Sequence, residues 1–438
     1  VTTAPTTPAG HPPTARRRIA VPDGGLDALL GALAADGRGA PVFVYERVDP
    51  VTRTPLVSWV GLRARVDRGG PAPFDDLRAR LSTLGAGSCL FAFVAYPDRA
   101  PAGSWPTAMI VEPESHLRLD HVSGHGELVA PADEIEGWAR CVDTATSATV
   151  PAVVDADRVD DWAPALTVEE YAEAVARLHD PAREPVGGVV LSVPMVSPTR
   201  TDALASYRAL RSAHPSPRMF LLRTDEVALW GATSLPMVEV QGRHLVAETD
   251  GATHAVPALR DGEVHVWTPS AKEIDEYEVV AQALWQDLRP VTTSESLRFT
   301  RQREERRFSG LGHLFAEVRG ELADGVDQLA VVEALFPHGA AVGHPRAAAL
   351  DLIAELEPLP RGPFAGLVGV FDGEGGVDTA SVTRSMWTTP AGSSTQAGAK
   401  VVPASVPDEE YQESVRKTRA VRESARALQE PTGRGAGC

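Results

Sequence analysis

Residues 336–385 read FPHGAAVGHPRAAALDLIAELEPLPRGPFAGLVGVFDGEGGVDTASVTRS, and residues 396–414 read QAGAKVVPASVPDEEYQES. PRAAALDLIAELE carries apolar side chains at helical spacing. FAGLVGVFD, DTASVTRSMWT and AGAKVVPAS are short apolar or alternating runs bounded by Gly, Pro and Asp, which predicts a helix followed by three strands. DEEYQESVRKTRAVRESARAL then predicts a long amphipathic helix, with Pro407 near its start, where the missing backbone N–H is not needed.

Upstream, SAKEIDEYEVVAQALWQDL predicts a helix with one buried stripe through Ile274, Tyr277, Val280, Ala281 and Leu284. LGHLFAEVRGEL and QLAVVEALF are read as further helices. Before them, GGVVLSVPMV, RMFLLRT, EVALWGAT, PMVEVQGRHLVAE and EVHVWTP predict a mostly antiparallel sheet. In the first third, helical patterns at 24–36 and in FDDLRARLSTL alternate with strand patterns in PVFVYERV, CLFAFVAY, WPTAMIVEP and HLRLDHV. Residues 149–165, with Pro151 and Pro164, read as a linker, and TVEEYAEAVARLH after them as a helix.

A chain of 438 residues, 23% of them charged and 43% hydrophobic, has the composition of a globular protein. Its formal net charge of −17, without a basic stripe, argues against nucleic acid and anionic membrane as partners. Three cysteines, Cys89, Cys141 and Cys438, provide neither a disulfide framework nor a multi-cysteine zinc site, which suits a cytoplasmic protein. Arg16, Arg17 and Arg18 precede no apolar run, so no secretory signal is expected, and no stretch is long enough to span a bilayer. Residues 1–18 and 431–438 read as tails around a single domain at 19–430, with an amino-terminal subdomain at 19–150 and a core at 165–430.

Glu273 and Glu276 lie three apart on one predicted helix, and Glu410 and Glu413 repeat that spacing on another, so each pair shares a helix face. Brought together, the pairs would offer hard oxygen ligands of the kind Mg²⁺ prefers; apart, they are two solvated faces. His338 and His344 flank Gly339, where a histidine can exchange protons near neutral pH or serve as polar filler.

The stretch from Phe336 to Ser414 resembles the chorismate-utilising enzymes, among them anthranilate, aminodeoxychorismate, isochorismate and salicylate synthases. Their corresponding motifs read F-P-x-G-T-x-S-G-A-P-K, E-L-E-P, R-G-x-Y-x-G-x-x-G, I-R-T and Q-A-G-A-G-I-V-x-x-S-x-P-x-x-E-x-x-E-T. The resemblance implies an α/β fold of the α+β type, with large antiparallel sheets packed face to face and flanking helices. It implies Glu273, Glu276, Glu410 and Glu413 as magnesium carboxylates, and Arg384 and Lys417 as holders of a substrate carboxylate, with Gly339, Gly398 and Ala399 beside it.

The departures from the pattern matter as much. Gly188 stands where the family has Lys or Gln before V-V-L-S-R, and the Lys version is the base that activates water in isochorismate synthesis. Leu235 stands at the glutamate of S-P-E that protonates the departing hydroxyl. Asp250, Gly251 and Ala252 replace A-G-T, Ala340 replaces a threonine, Val342 and His344 alter S-G-A, and Tyr277 replaces a histidine, all at positions that line the ring pocket in the family. Lys400 replaces the last glycine of A-G-A-G, where its ammonium can bind an anion, displace the metal from the four glutamates, or point to solvent.

Losing an acid or a base forfeits roughly 10² to 10⁴ in rate. The expectation is therefore a Mg²⁺-dependent enzyme of specialised metabolism that acts on chorismate or a near relative by lyase-type elimination, with Lys400 and His344 as catalytic candidates. A silent relative that binds a ligand or partner in the old pocket is one alternative. The other is an amination subunit fed with ammonia by a separate glutamine amidotransferase.

Overall fold

The computed structural model describes residues 14–22, 24–35, 41–99, 105–145, 158–180, 186–256, 267–308 and 311–428. Strands Pro55–Arg68 and Ala108–Asp120 pair with each other and start two antiparallel limbs. One limb runs through Phe43–Val48, Arg218–Arg223, Ala228–Thr233, Ser385–Thr389 and Gly392–Val401 to Gly188–Ser197. The other runs through Cys89–Val94, Leu367–Asp372, Val377–Ser381, Pro236–Gln241, His244–Ala255 and Leu311–Glu321 to Arg298–Phe308.

The limbs fold onto one another because both present apolar inner faces. Phe43, Tyr45, Phe220 and Leu229 of one limb share a buried cluster with Phe91, Phe93, Val368 and Val370 of the other. The Phe43 and Phe91 rings stack with centroids 3.9 Å apart, as two facing sheets require. Buried Arg218 clamps the layers by donating to Asp378 at 2.7 Å and to Glu239 of the opposite limb.

Helices cover the outer faces. Gly25–Ala35, Ile135–Ala145 and Ala203–Ala213 bury Leu26, Trp138 and Tyr207 against the first limb. Ala271–Leu288 and Gln328–Leu335 bury Leu284, Leu288 and Val331 against the second. Val168–Leu178, Arg346–Leu356 and Pro407–Lys417 pack Tyr171, Ile353 and Tyr411 over strand Gly188–Ser197. The expected face-to-face antiparallel architecture with flanking helices is the one observed. Strand Phe43–Val48 pairs with Arg218–Arg223, so residues on both sides of the 149–165 segment share one sheet.

Four local expectations need correction. LGHLFAEVRGEL is strand Leu311–Glu321, not a helix; it is paired on both edges and buried on both faces, so its apolar residues show no period of two. RFTRQREERRF was not anticipated as a strand. Among the described residues it is paired along one edge, and its charged side chains keep the other edge from recruiting another chain. The expected tail to residue 18 is shortened, because Thr14–Ala20 pairs with His125–Pro131 and Arg17 donates to Glu136 at 2.5 Å. The closing helix breaks at Thr418, whose hydroxyl turns back to the Val415 carbonyl at 2.7 Å, giving Pro407–Lys417 and Arg419–Ser424. The reading of 431–438, and most of those of EVHVWTP and the linker, fall outside the described residues.

Candidate active site

A cavity of about 330 Å³ lies where helices Ala271–Leu288 and Pro407–Lys417 meet the ends of strands His244–Ala255, Leu311–Glu321 and Gly392–Val401. Glu273, Glu276, Glu410, Glu413, Arg384, Lys400, Lys417 and Gly398 all line it, joined by Asp250, Lys272 and His313. Glu273 and Glu413 are far apart in sequence, and packing of two helix starts against one sheet end brings them together.

The anion-seeking side is built around Arg384. Its backbone takes φ 46°, a left-handed conformation costly for a long side chain and held by the surrounding turn. Its Nη2 donates to His313 Nε2 at 2.6 Å, which places the His313 proton on Nδ1, facing Thr253 Oγ1 at 3.2 Å and Asp250 at 3.9 Å. Burial, together with Arg384, keeps His313 neutral by pushing its pKa far below the usual value. Arg384 Nη1 is buried with no partner among the described residues. Lys400 donates to the backbone carbonyl of Glu276 at 3.1 Å, and burial pushes its pKa down to about 8, against the pull of Glu276.

The four glutamates are already engaged. Glu273 closes the capping box of its own helix, accepting from Ser270 N at 2.7 Å and Oγ at 2.8 Å. The Lys272 ammonium sits 3.7 Å from Glu276 and 3.5 Å from Glu410, and Lys417 pairs with Glu413 at 2.8 Å. Burial raises the pKa of Glu276; for Glu413 burial acts upward too, yet Lys417 prevails and holds it low. Among the described residues no three metal-ligating side chains gather about one point. Lys272 and Lys417 are the cations that Glu276, Glu410 and Glu413 hold in this arrangement. The cation between Glu276 and Glu410 is Lys272; of the three roles open to Lys400 from sequence, displacing the metal from the glutamates is not the one seen, because Lys400 donates to a backbone carbonyl instead.

One test follows from that arrangement. Mg²⁺ titrated into the native protein is expected to bind weakly, and Lys272→Ala, which releases two carboxylates, to tighten binding by about tenfold, ~1.4 kcal/mol. Equal affinities in calorimetry would show that Lys272 is no competitor.

Several candidates lie elsewhere. Gly339 starts a short helix capped by His338, and it is its neighbours Ala340 and Ala341 that reach the cavity. Ala399 faces away from Gly398 and Lys400, as strand alternation dictates. His344 is outside the cavity lining, its carbonyl accepting from Gly187 N at 3.1 Å. Tyr277 and Val342 are buried away from the lining, with the Tyr277 hydroxyl accepting from Arg303 N at 2.9 Å. Asp250, Gly251, Ala252, Ala340 and Leu235 do line it. His313 escaped notice because its segment was read as a helix, which hid the face it shares with the sheet end.

Gly188 and Lys400 prove to be one feature. Gly188 has φ 144°, and a Cβ there would meet Lys400 Cγ at 3.1 Å and Cδ at 3.2 Å. Position 188 is bare, and the lysine of the neighbouring strand runs across the space. Gly188→Ala is expected to cost about 1–3 kcal/mol from backbone strain, plus a contact term. In Gly188→Ala/Lys400→Gly the strain and a 3.3 Å contact with Val402 Cγ1 should remain without the Lys400 contacts, a coupling of at least about 0.5 kcal/mol by denaturant titration. Additive losses would mean that the side chain moves aside freely.

Residues 71–423 match the chorismate binding enzyme family, and the chain belongs to it. Anthranilate synthase component 1 of Thermus thermophilus is 31% identical over 352 residues, 76% of each chain. The component 1 of Streptomyces coelicolor is 33% identical over 269 residues, 59% of this chain and 52% of that one. Among solved structures, the anthranilate synthase component I of Streptococcus pneumoniae superposes with a TM-score of 0.68 at 20% identity, covering 96% of this chain and 94% of that one. The menaquinone-specific isochorismate synthase of Escherichia coli superposes with a TM-score of 0.71 at 18% identity, covering 94% and 95%. Among the described residues no helix is long and apolar enough to cross a membrane.

Proposed function

We propose that the protein is an enzyme acting on chorismate or a close relative, a cyclohexadiene carboxylate that carries an enolpyruvyl ether, and that it removes the enolpyruvyl group by elimination. The observation that carries the reading is a pair of cations, buried Arg384 and half-buried Lys400, that share one cavity and have no carboxylate within ion-pair distance among the described residues. Asp250 acts on both, and Glu276 on Lys400, only from beyond ion-pair distance, and a ligand with two carboxylates would neutralise them directly. The cavity volume of about 330 Å³ suits a ligand of that size.

Elimination is favoured over addition by what the cavity lacks. Gly188 presents no side chain where the family places its water-activating base, and Lys400, which crosses that space, donates to the Glu276 carbonyl. Loss of the enolpyruvyl group needs a held conformation and is driven by aromatisation of the ring, so it asks less of a proton-transfer pair. A role in specialised metabolism fits such a departure from the family's residues.

Incubation with chorismate, with pyruvate and aromatic products followed by chromatography, tests the reading. Pyruvate with a hydroxybenzoate is the expected outcome. Isochorismate in place of pyruvate would refute elimination. Aminated product formed only when ammonia is added would instead favour an amination subunit served by a separate amidotransferase, a reading supported by the numbering of the relatives as "component 1".

A further inference from the structure

Strand His244–Ala255 delivers a carboxyl to the place where the family's acid is missing. Ser234, the residue before Leu235, donates its hydroxyl to Asp250 Oδ2 at 3.1 Å, so the Asp250 side chain reaches the cavity beside the Leu235 wall. The strand is bulged between Gly251 and Thr253 and pressed against helix Ala271–Leu288, where a Cβ on Gly251 would lie 2.9 Å from Tyr277 Cα. Asp250 precedes the bulge, in regular register opposite Phe315, and the Ser234 hydrogen bond fixes its direction.

We propose that Asp250 is the catalytic proton donor to the oxygen that leaves the ring, replacing the glutamate absent at position 235. This rests on the elimination reading above. The Asp250 proton passes to the ether oxygen as the ring C–O bond breaks and its electron pair goes to that oxygen, releasing the enol of pyruvate. The electron-poor ring then loses the hydrogen of the adjacent carbon to the Asp250 carboxylate, which restores the acid and completes aromatisation. No other reactant is needed.

The surroundings suit a group that must hold a proton and briefly give it up. Burial pushes the Asp250 pKa above the usual carboxylate range; Arg384, the Ser234 hydroxyl, Lys417 and Lys400 act the other way and would steady the transient carboxylate. His313, kept neutral, faces it from strand Leu311–Glu321, and Glu276 lies behind Lys400. Because the folded pKa is raised, the acid form prevails below it, and kcat should fall as pH rises through it. Loss of the Lys400 charge on the alkaline side should appear in KM instead.

The experiment compares native protein, Asp250→Asn and Asp250→Glu. Each is examined for chorismate binding by calorimetry, for pyruvate release against pH, and for the protonated-carboxyl stretch in the infrared. The expected result is near-native binding in Asp250→Asn, kcat lower by about 10²-fold or more with no alkaline fall, partial recovery in Asp250→Glu, and loss of one carboxyl band. Native protein that fails to bind chorismate would sink the functional reading itself. Binding without pyruvate release would sink the elimination and Asp250's part in it. Turnover retained in Asp250→Asn, or a carboxyl band unchanged by it, would overturn the assignment of Asp250 alone.

Discussion

Arg384→Met is expected to weaken chorismate binding by about 2–5 kcal/mol, or roughly 30- to several thousand-fold in Kd. Arg384 is only 9% exposed, with one arm on His313 and Nη1 without a partner among the described residues, so among nearby carboxylates only Asp250 acts on its charge, from beyond ion-pair distance. Removing it takes from the cavity the cation that acts most strongly on Asp250 and leaves Lys417 and Lys400 to face a ligand carboxylate. Arg384→Lys should fall between, since an ammonium keeps the charge and loses the planar fork. Calorimetry checks affinity and a thermal melt checks folding. A Kd within threefold of native in a folded Arg384→Met protein would refute the assignment.

Arg361→Met should produce the largest loss of stability, about 3–5 kcal/mol by chemical denaturation, because it strands a buried carboxylate. Arg361 is fully buried and grips Glu357 with two bonds, at 2.8 Å and 2.7 Å. Its remaining donors hold the carbonyls of Ala341, at 3.1 Å, and Val190. Glu357 in turn accepts from Ser192 N and Oγ, both at 2.8 Å. The pair therefore locks strand Gly188–Ser197 to the segment bearing Ala340 and Ala341, and Val190 and Ala341 form part of the cavity wall. Adding Glu357→Gln should recover part of the loss, since no charge is then left unpaired. A single variant less than about 1 kcal/mol weaker than native would mean that water or another cation takes over.

Much of this was legible in the chain itself. The motifs between Phe336 and Ser414 identify the family and with it the architecture, and they include Glu357 and Arg361, the pair that locks the site's wall. The two E-x-x-E pairs, Arg384 and Lys417 were recognisable because helix spacing and motif position are local properties, and all of them reach the cavity. The bare position 188 and the apolar position 235 were equally plain, as substitutions within short matched segments.

What tertiary structure alone decided is how those gaps are filled. Lys400 lies over Gly188 because two strands remote in sequence run side by side, with Lys400 opposite Val190. Asp250 reaches the cavity wall that Leu235 also lines because its strand pairs with Pro236–Gln241, which follows Leu235, and Ser234 holds it there. Lys272, not Lys400, bridges Glu276 and Glu410 because a helix start and a helix from the far end of the chain converge on one sheet edge. His313 joins Arg384 only once its segment is paired as a strand. In each case the deciding quantity is the reach of a side chain of one element toward its neighbour, and that is set by cross-strand register and helix docking, which depend on packing across the whole core.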